Sequence, residues 1–173
     1  DTDGAYVWSR TFVSDDEVTG HDLAVNAAGD VFAVGGFKGT TNFDPLFGAV
    51  APVASNGYSD AYVTKIDSTG NILWVKTFGN NRDEAIQAVD LDSAGNVILT
   101  GYWETFVDFD PGAATSDIAR LGAFSAFLPK LASYGLFQCD IVAMGVVEDR
   151  GLELVVEYNA HIHSTSPLQR TVD

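Results

Sequence analysis

Three groups of side chains in this sequence have types and spacings that could do chemistry. His161 and His163 stand two residues apart, with Glu157 at the same parity, in a stretch whose apolar residues alternate from Leu152 to Ile162. Alternate residues of a strand face one way, so both imidazoles and the carboxylate would share a face. That donor set suits Zn²⁺ or Cu²⁺. The face is also the polar one, where solvated histidines are equally at home, and His21 belongs to a distant part of the chain. Asp108 and Asp110, with Glu104, gather oxygens on one loop, and Asn42 and Asp44 occupy the matching place earlier. Such oxygens suit Ca²⁺, a hard cation that takes roughly 6–8 of them. The opposing reading is that each Asp accepts backbone N–H bonds in a turn whose next residue, Pro45 or Pro111, presets φ. Recurrence at a fixed spacing favours the turn. Tyr102 and Trp103, beside Glu104 and followed by Phe106 and Phe109, could stack on sugar rings while the acid accepts hydroxyl protons. The same aromatics packed between sheets would be ordinary core.

Other chemistries are poorly served. There is no Gly-x-Ser-x-Gly elbow, and Cys139 sits at an apolar strand position typical of a buried structural thiol. Acid pairs such as Asp15-Asp16-Glu17 and Asp83-Glu84 carry no catalytic weight by themselves in a chain with 24 acidic residues. No Gly-rich loop leads from a strand into a helix, so nucleotide binding is not indicated. A single cysteine excludes an intrachain disulfide.

These residues sit on a repeat. Asn26-Ala27-Ala28-Gly29-Asp30-Val31 returns as Asp92-Ser93-Ala94-Gly95-Asn96-Val97, and Phe43-Asp44-Pro45 as Phe109-Asp110-Pro111, each 66 residues later. Trp8 and Trp74 keep the same interval. Each period holds four short apolar runs. The first ends at Leu23-Ala24-Val25 or covers Ala88–Leu91; the second is Val31–Gly35 or Val97–Gly101. The third is Ala61–Ile66 or Ala126–Leu131, and the fourth is Ile72–Phe78, with Ala5–Phe12 as its earlier copy. Gly turns join them, and no run before residue 140 has a helical period. Four antiparallel strands per period, joined by hairpins, describe a β-propeller blade. The expected fold is therefore all-β, with residues 1–131 forming two blade-like repeats (about 1–66 and 67–131) and 132–173 a diverged partial third.

The combination of Trp74, Asp83, Asp92–Val97, Thr100-Gly101-Tyr102, Asp108-Phe109-Asp110-Pro111-Gly112 and Asp60–Asp67 resembles a bacterial family of β-propeller repeats, the SBBP-like or "FDPG" group. The resemblance covers about residues 1–137. It implies a propeller blade and a secreted or cell-surface setting, and it implies no single reaction.

The rest bounds the function. A formal charge of −15 repels phosphates and anionic lipids, so nucleic-acid binding is not expected. No run is long enough for a membrane span, and the opening at Asp1 without Met reads as a mature or trimmed form. In the third period the Gly turn disappears after Asp149, leaving one long amphipathic strand before Pro167. Two full repeats cannot close a ring that typically needs roughly four to eight blades. The expectation is self-association by exchange between chains, with the remainder of a longer propeller as the alternative. The functional expectation is a non-catalytic module for scaffolding, adhesion, or binding of a protein or carbohydrate. A metal-dependent hydrolase or lyase and a calcium-stabilised carbohydrate-binding module are the alternatives.

Overall fold

The computed structural model describes residues 3–104 and the strands at 107–108, 117–118, 125–131 and 139–143. In chain order the strands are β1 (Val13–Ser14), β2 (Val18–Val25), β3 (Val31–Phe37), β4 (Thr40–Asn42), β5 (Val53–Ala54), β6 (Asp60–Ile66) and β7 (Ile72–Phe78). They continue as β8 (Glu84–Leu91), β9 (Val97–Trp103), β10 (Val107–Asp108), β11 (Asp117–Ile118), β12 (Ser125–Leu131) and β13 (Cys139–Ala143). Among the described residues there is no helix. The protein is all-β, with antiparallel sheets of which none closes on itself.

Two sheets carry the architecture. One runs β2-β3-β6-β7 and the other β8-β9-β12-β13, each a four-stranded meander in chain order. Between the second and third strand of each, the chain detours into a short pair of strands: β4-β5 in the first case, joined by β1 from ahead of β2, and β10-β11 in the second. The bounds of β8 and β9 lie 66 residues after those of β2 and β3.

The hairpins form because three turns share one local chemistry. Asn26, Asp67 and Asp92 each use one side-chain oxygen to accept the amides two and four residues ahead, at 2.8–3.0 Å. Each residue's backbone carbonyl also accepts the amide of the glycine three ahead: Gly29, Gly70 or Gly95. Those glycines have φ of 83°, 91° and 79°, where a Cβ would be strained. The Asx side chain thus satisfies amides that a tight turn would otherwise strand.

The two sheets stack face to face. Ala24, Phe32, Val34, Ala61, Val63, Trp74 and Phe78 of the first meet Ile86, Val89, Leu91, Val97, Leu99 and Trp103 of the second in one core cluster. The reverse face of the first sheet packs Phe37 and Tyr62 against Phe43, Phe12 and Val53. Its rings meet edge-on, with Phe12 centred 5.3 Å from Phe43 and 5.7 Å from Tyr62. Close packing also explains Gly35, whose absent Cβ leaves room for the Thr19 carbonyl and the Tyr62 ring.

One expected strand is absent. Residues 5–12 have no regular strand structure. Trp8 donates its indole N–H to the Ser68 carbonyl at 3.1 Å and lies over Gly70, whose carbonyl also accepts Arg10 Nε. Trp74, by contrast, lies in β7 with its ring 6.1 Å from Phe32. The two tryptophans therefore have unlike surroundings, and the equivalence of 5–12 with β7 fails as secondary structure. The physical reason is pairing. β7 hydrogen-bonds β6, and the 173 residues contain no β6 equivalent ahead of residue 5. The long strand expected after Asp149 lies outside the described residues.

Candidate functional site

The site is assembled where the two sheets meet. Both β2 and β8 carry a bulge, between Gly20 and Asp22 in one and between Ile86 and Ala88 in the other. His21 is the extra residue of the first bulge. Its Nδ1 lies 2.7 Å from the Ile86 carbonyl, which only accepts, so Nδ1 carries a proton. In the neutral ring Nε2 is then an acceptor, 3.2 Å from Thr19 Oγ1. Asp22 does the complementary work. Its Oδ2 accepts the Val89 amide at 3.0 Å, while Oδ1 accepts that of Leu23 at 2.8 Å. Irregular strands expose backbone groups, and one His-Asp pair on the first sheet satisfies those of the second.

A cleft of about 340 Å³ opens beside this junction. Its polar lining comes from Glu17, Thr19, His21, Lys38, Ser59 and Asp83, and the Tyr102 ring completes it. Glu17 and Lys38 pair at 3.7 Å with both side chains partly in water, so the bridge adds little stability. The Tyr102 hydroxyl is pushed above its ordinary pKa, first by burial and then by the negative charges of Asp83, Glu104 and Glu84; Lys38 opposes this. It therefore remains a hydrogen-bond donor at neutral pH.

Under the cleft two acids are buried. The loop before β6 runs parallel to the loop joining β7 to β8, bridged at Ser59 and Asp83 and by Glu84 N–H donating to the Ser59 carbonyl at 2.8 Å. Asp60 opens β6 and Glu84 opens β8, each about 1% exposed. Asp60 accepts the Asn56 amide at 3.1 Å through both oxygens, and Glu84 Oε2 accepts the Asn80 amide at 3.1 Å. Among the described residues Glu84 Oε1 has no close hydrogen bond, although the Glu104 amide is directed at the carboxyl group. Burial raises Asp60 to about 6 and Glu84 to about 7, and for Glu84 the nearby Asp60 charge adds to the rise. Gly79 is required here, because a Cβ would enter the Asp60 carboxyl group.

The residues singled out from sequence fall in several places. Tyr102 lines the cleft, whereas Trp103 is 2% exposed and belongs to the core between the sheets. Neighbours in a strand point to opposite faces, so the two rings form no joint platform. Glu104 is half-buried, and its backbone amide donates toward the Glu84 carboxyl. Asn42 Oδ1 accepts the Asp44 amide at 3.0 Å, and buried Asp44 Oδ2 accepts the Ala49 amide at 2.8 Å. These oxygens organise a turn. Asp108 lies in β10 opposite Asp117. Asp110, Glu157, His161 and His163 lie outside the described residues, as do Phe106 and Phe109. Among the described residues no three His, Cys, Asp or Glu side chains gather as a metal site.

Asp22 and Asp60 are not weighed as site residues from sequence, and His21 and Glu84 are weighed and set aside. The one signal for Glu84 is an acid sharing parity with Ile86 on the apolar side of a strand; the bulges that aim His21 and Asp22 leave no mark in the residue pattern. Compared with known proteins, the chain matches no family model and no curated protein.

Proposed function

We propose that the chain is a non-catalytic β-propeller-type repeat module of the secreted or cell-surface bacterial kind, with the cleft beside Tyr102 as its ligand-binding surface. The observation that carries this reading is the stacking of two meanders built alike, the second docked on the first through its bulge. Repeats of this kind bury their faces only against neighbours, which makes a rigid support for loops and clefts at the junctions. The cleft combines a part-exposed aromatic ring with carboxylates, hydroxyls and one ammonium group, the mix that takes a polyhydroxylated ligand such as an oligosaccharide. The oxygens of Asn42 and Asp44 are engaged by backbone amides, which weighs against calcium at that loop.

Calorimetric titration with a panel of neutral oligosaccharides tests the proposal. At least one binds, Tyr102→Ala and Asp83→Ala each weaken it tenfold or more, and the sugar is recovered intact. Binding indifferent to both substitutions, or cleavage of the sugar, refutes it.

A further inference from the structure

The open face of the first sheet points to a specific occupant. By the 66-residue equivalence, Leu23, Val25, Val31 and Ala33 correspond to Val89, Leu91, Val97 and Leu99. The latter four are the residues by which the second sheet docks on the first: Val89 is 8% exposed, Val97 and Leu99 about 1%, and Leu91 packs against the same cluster. Their counterparts Leu23 and Val25 are 60% and 54% exposed. The same strands with the same bulge thus present one docking face that is covered and one that is open at Leu23 and Val25, with Val31 and Ala33 half-buried.

A second observation shows part of the cover in place. Phe12 and Phe78 are also 66 residues apart, as are Phe37 and Trp103. Phe78 belongs to the cluster that holds Trp103, and Phe12 belongs to the cluster that holds Phe37. Phe12 therefore sits on the first sheet as the last residue of β7 sits on the second.

We propose that this face takes another sheet of the same repeat from outside these 173 residues, with a face like that of Ala24, Phe32 and Val34 and a donor in the place of His21. A second copy of this chain fits it poorly. On the outer side of its second sheet, Asp90 stands where the first sheet has Ala24, so docking would press a carboxylate onto Leu23 and Val25. The charge of −15 on each copy also opposes association. The missing carboxylate at Ala88 is no obstacle to docking in general, because the Leu23 amide is already held by its own Asp22.

The inference rests on the stacked-repeat reading above, and one experiment separates the two. A second copy of residues Glu17–Arg82 inserted after Asp16 keeps the repeat in phase and supplies the proposed sheet. In the 173-residue chain, Leu23→Asp shifts the melting temperature by less than about 2 °C; in the extended chain the same change in the original sheet lowers it by about 6 °C or more. The milder Leu23→Ala gives the same contrast in sign. Val89→Ala lowers melting in both chains. Equal tolerance of the Leu23 changes in both chains overturns the docking proposal, and tolerance of Val89→Ala as well overturns the stacking itself. Sedimentation of the unextended chain as a dimer that Leu23→Asp disperses also overturns the proposal, since the occupant is then a second copy.

Discussion

Glu84→Gln tests the buried acids at the junction through the pH dependence of stability. Glu84 is about 1% exposed, its Oε1 has no close hydrogen bond, and its pKa rises from 4.5 to about 7. Between those values the folded chain keeps a proton that the unfolded chain has released, so stability falls as pH rises. Below pH 4.5 both states hold the proton and the dependence vanishes; above about 7 the full penalty is present. At about 1.4 kcal/mol per pH unit, this shift corresponds to about 3 kcal/mol. That is a large share of a total near 5–15 kcal/mol. Asp60, raised from 3.8 to about 6, steepens the same fall between about pH 4 and 6. Glutamine cannot ionise, though its side-chain NH2 then stands in the position of Oε1 without an acceptor and costs about 1–3 kcal/mol at every pH. The informative quantity is therefore the difference between the two proteins across pH, not at one pH. Urea titrations at pH 4.5, 5.5, 6.5 and 7.5 should show the wild type losing about 3 kcal/mol more than Glu84→Gln. Parallel curves would refute the assignment of a proton to this site in the folded state.

Three other outcomes follow from the packing. Gly35→Ala places a Cβ on the Thr19 carbonyl and against Tyr62, and should cost at least about 1–3 kcal/mol in denaturant titration, whereas Ala33→Gly nearby should cost less. Trp103→Ala should lose about 3–5 kcal/mol, while Tyr102→Ala should stay within about 0.5 kcal/mol, a contrast that equal losses would contradict. Asp44→Ala frees the Ala49 amide and should lower stability by about 1.5–3 kcal/mol with no response to added Ca²⁺; restoration by calcium would overturn its reading as a turn residue.

The recurring turns, the four strand candidates per period and the all-β class were legible because each depends on local chemistry. An Asx side chain that reaches two and four residues ahead, a glycine at positive φ and alternating apolar residues act within a few residues of one another. The Phe-Asp-Pro oxygens could be read either way, and the contacts of Asn42 and Asp44 put their oxygens in a turn. What only the tertiary structure decided is whatever depends on a partner far along the chain. Residues 5–12 have the composition of β7 and form no regular strand, because a strand needs a neighbouring strand and composition does not supply one. Tyr102 and Trp103 look like one aromatic unit in the sequence and separate once β9 is given two faces, one towards the cleft and one towards the core. The bond from His21 to Ile86 spans 65 residues, and that from Asp22 to Val89 spans 67. Such contacts exist only when two bulged edges are brought together, and the same stacking dehydrates Asp60 and Glu84 enough to change how they hold a proton.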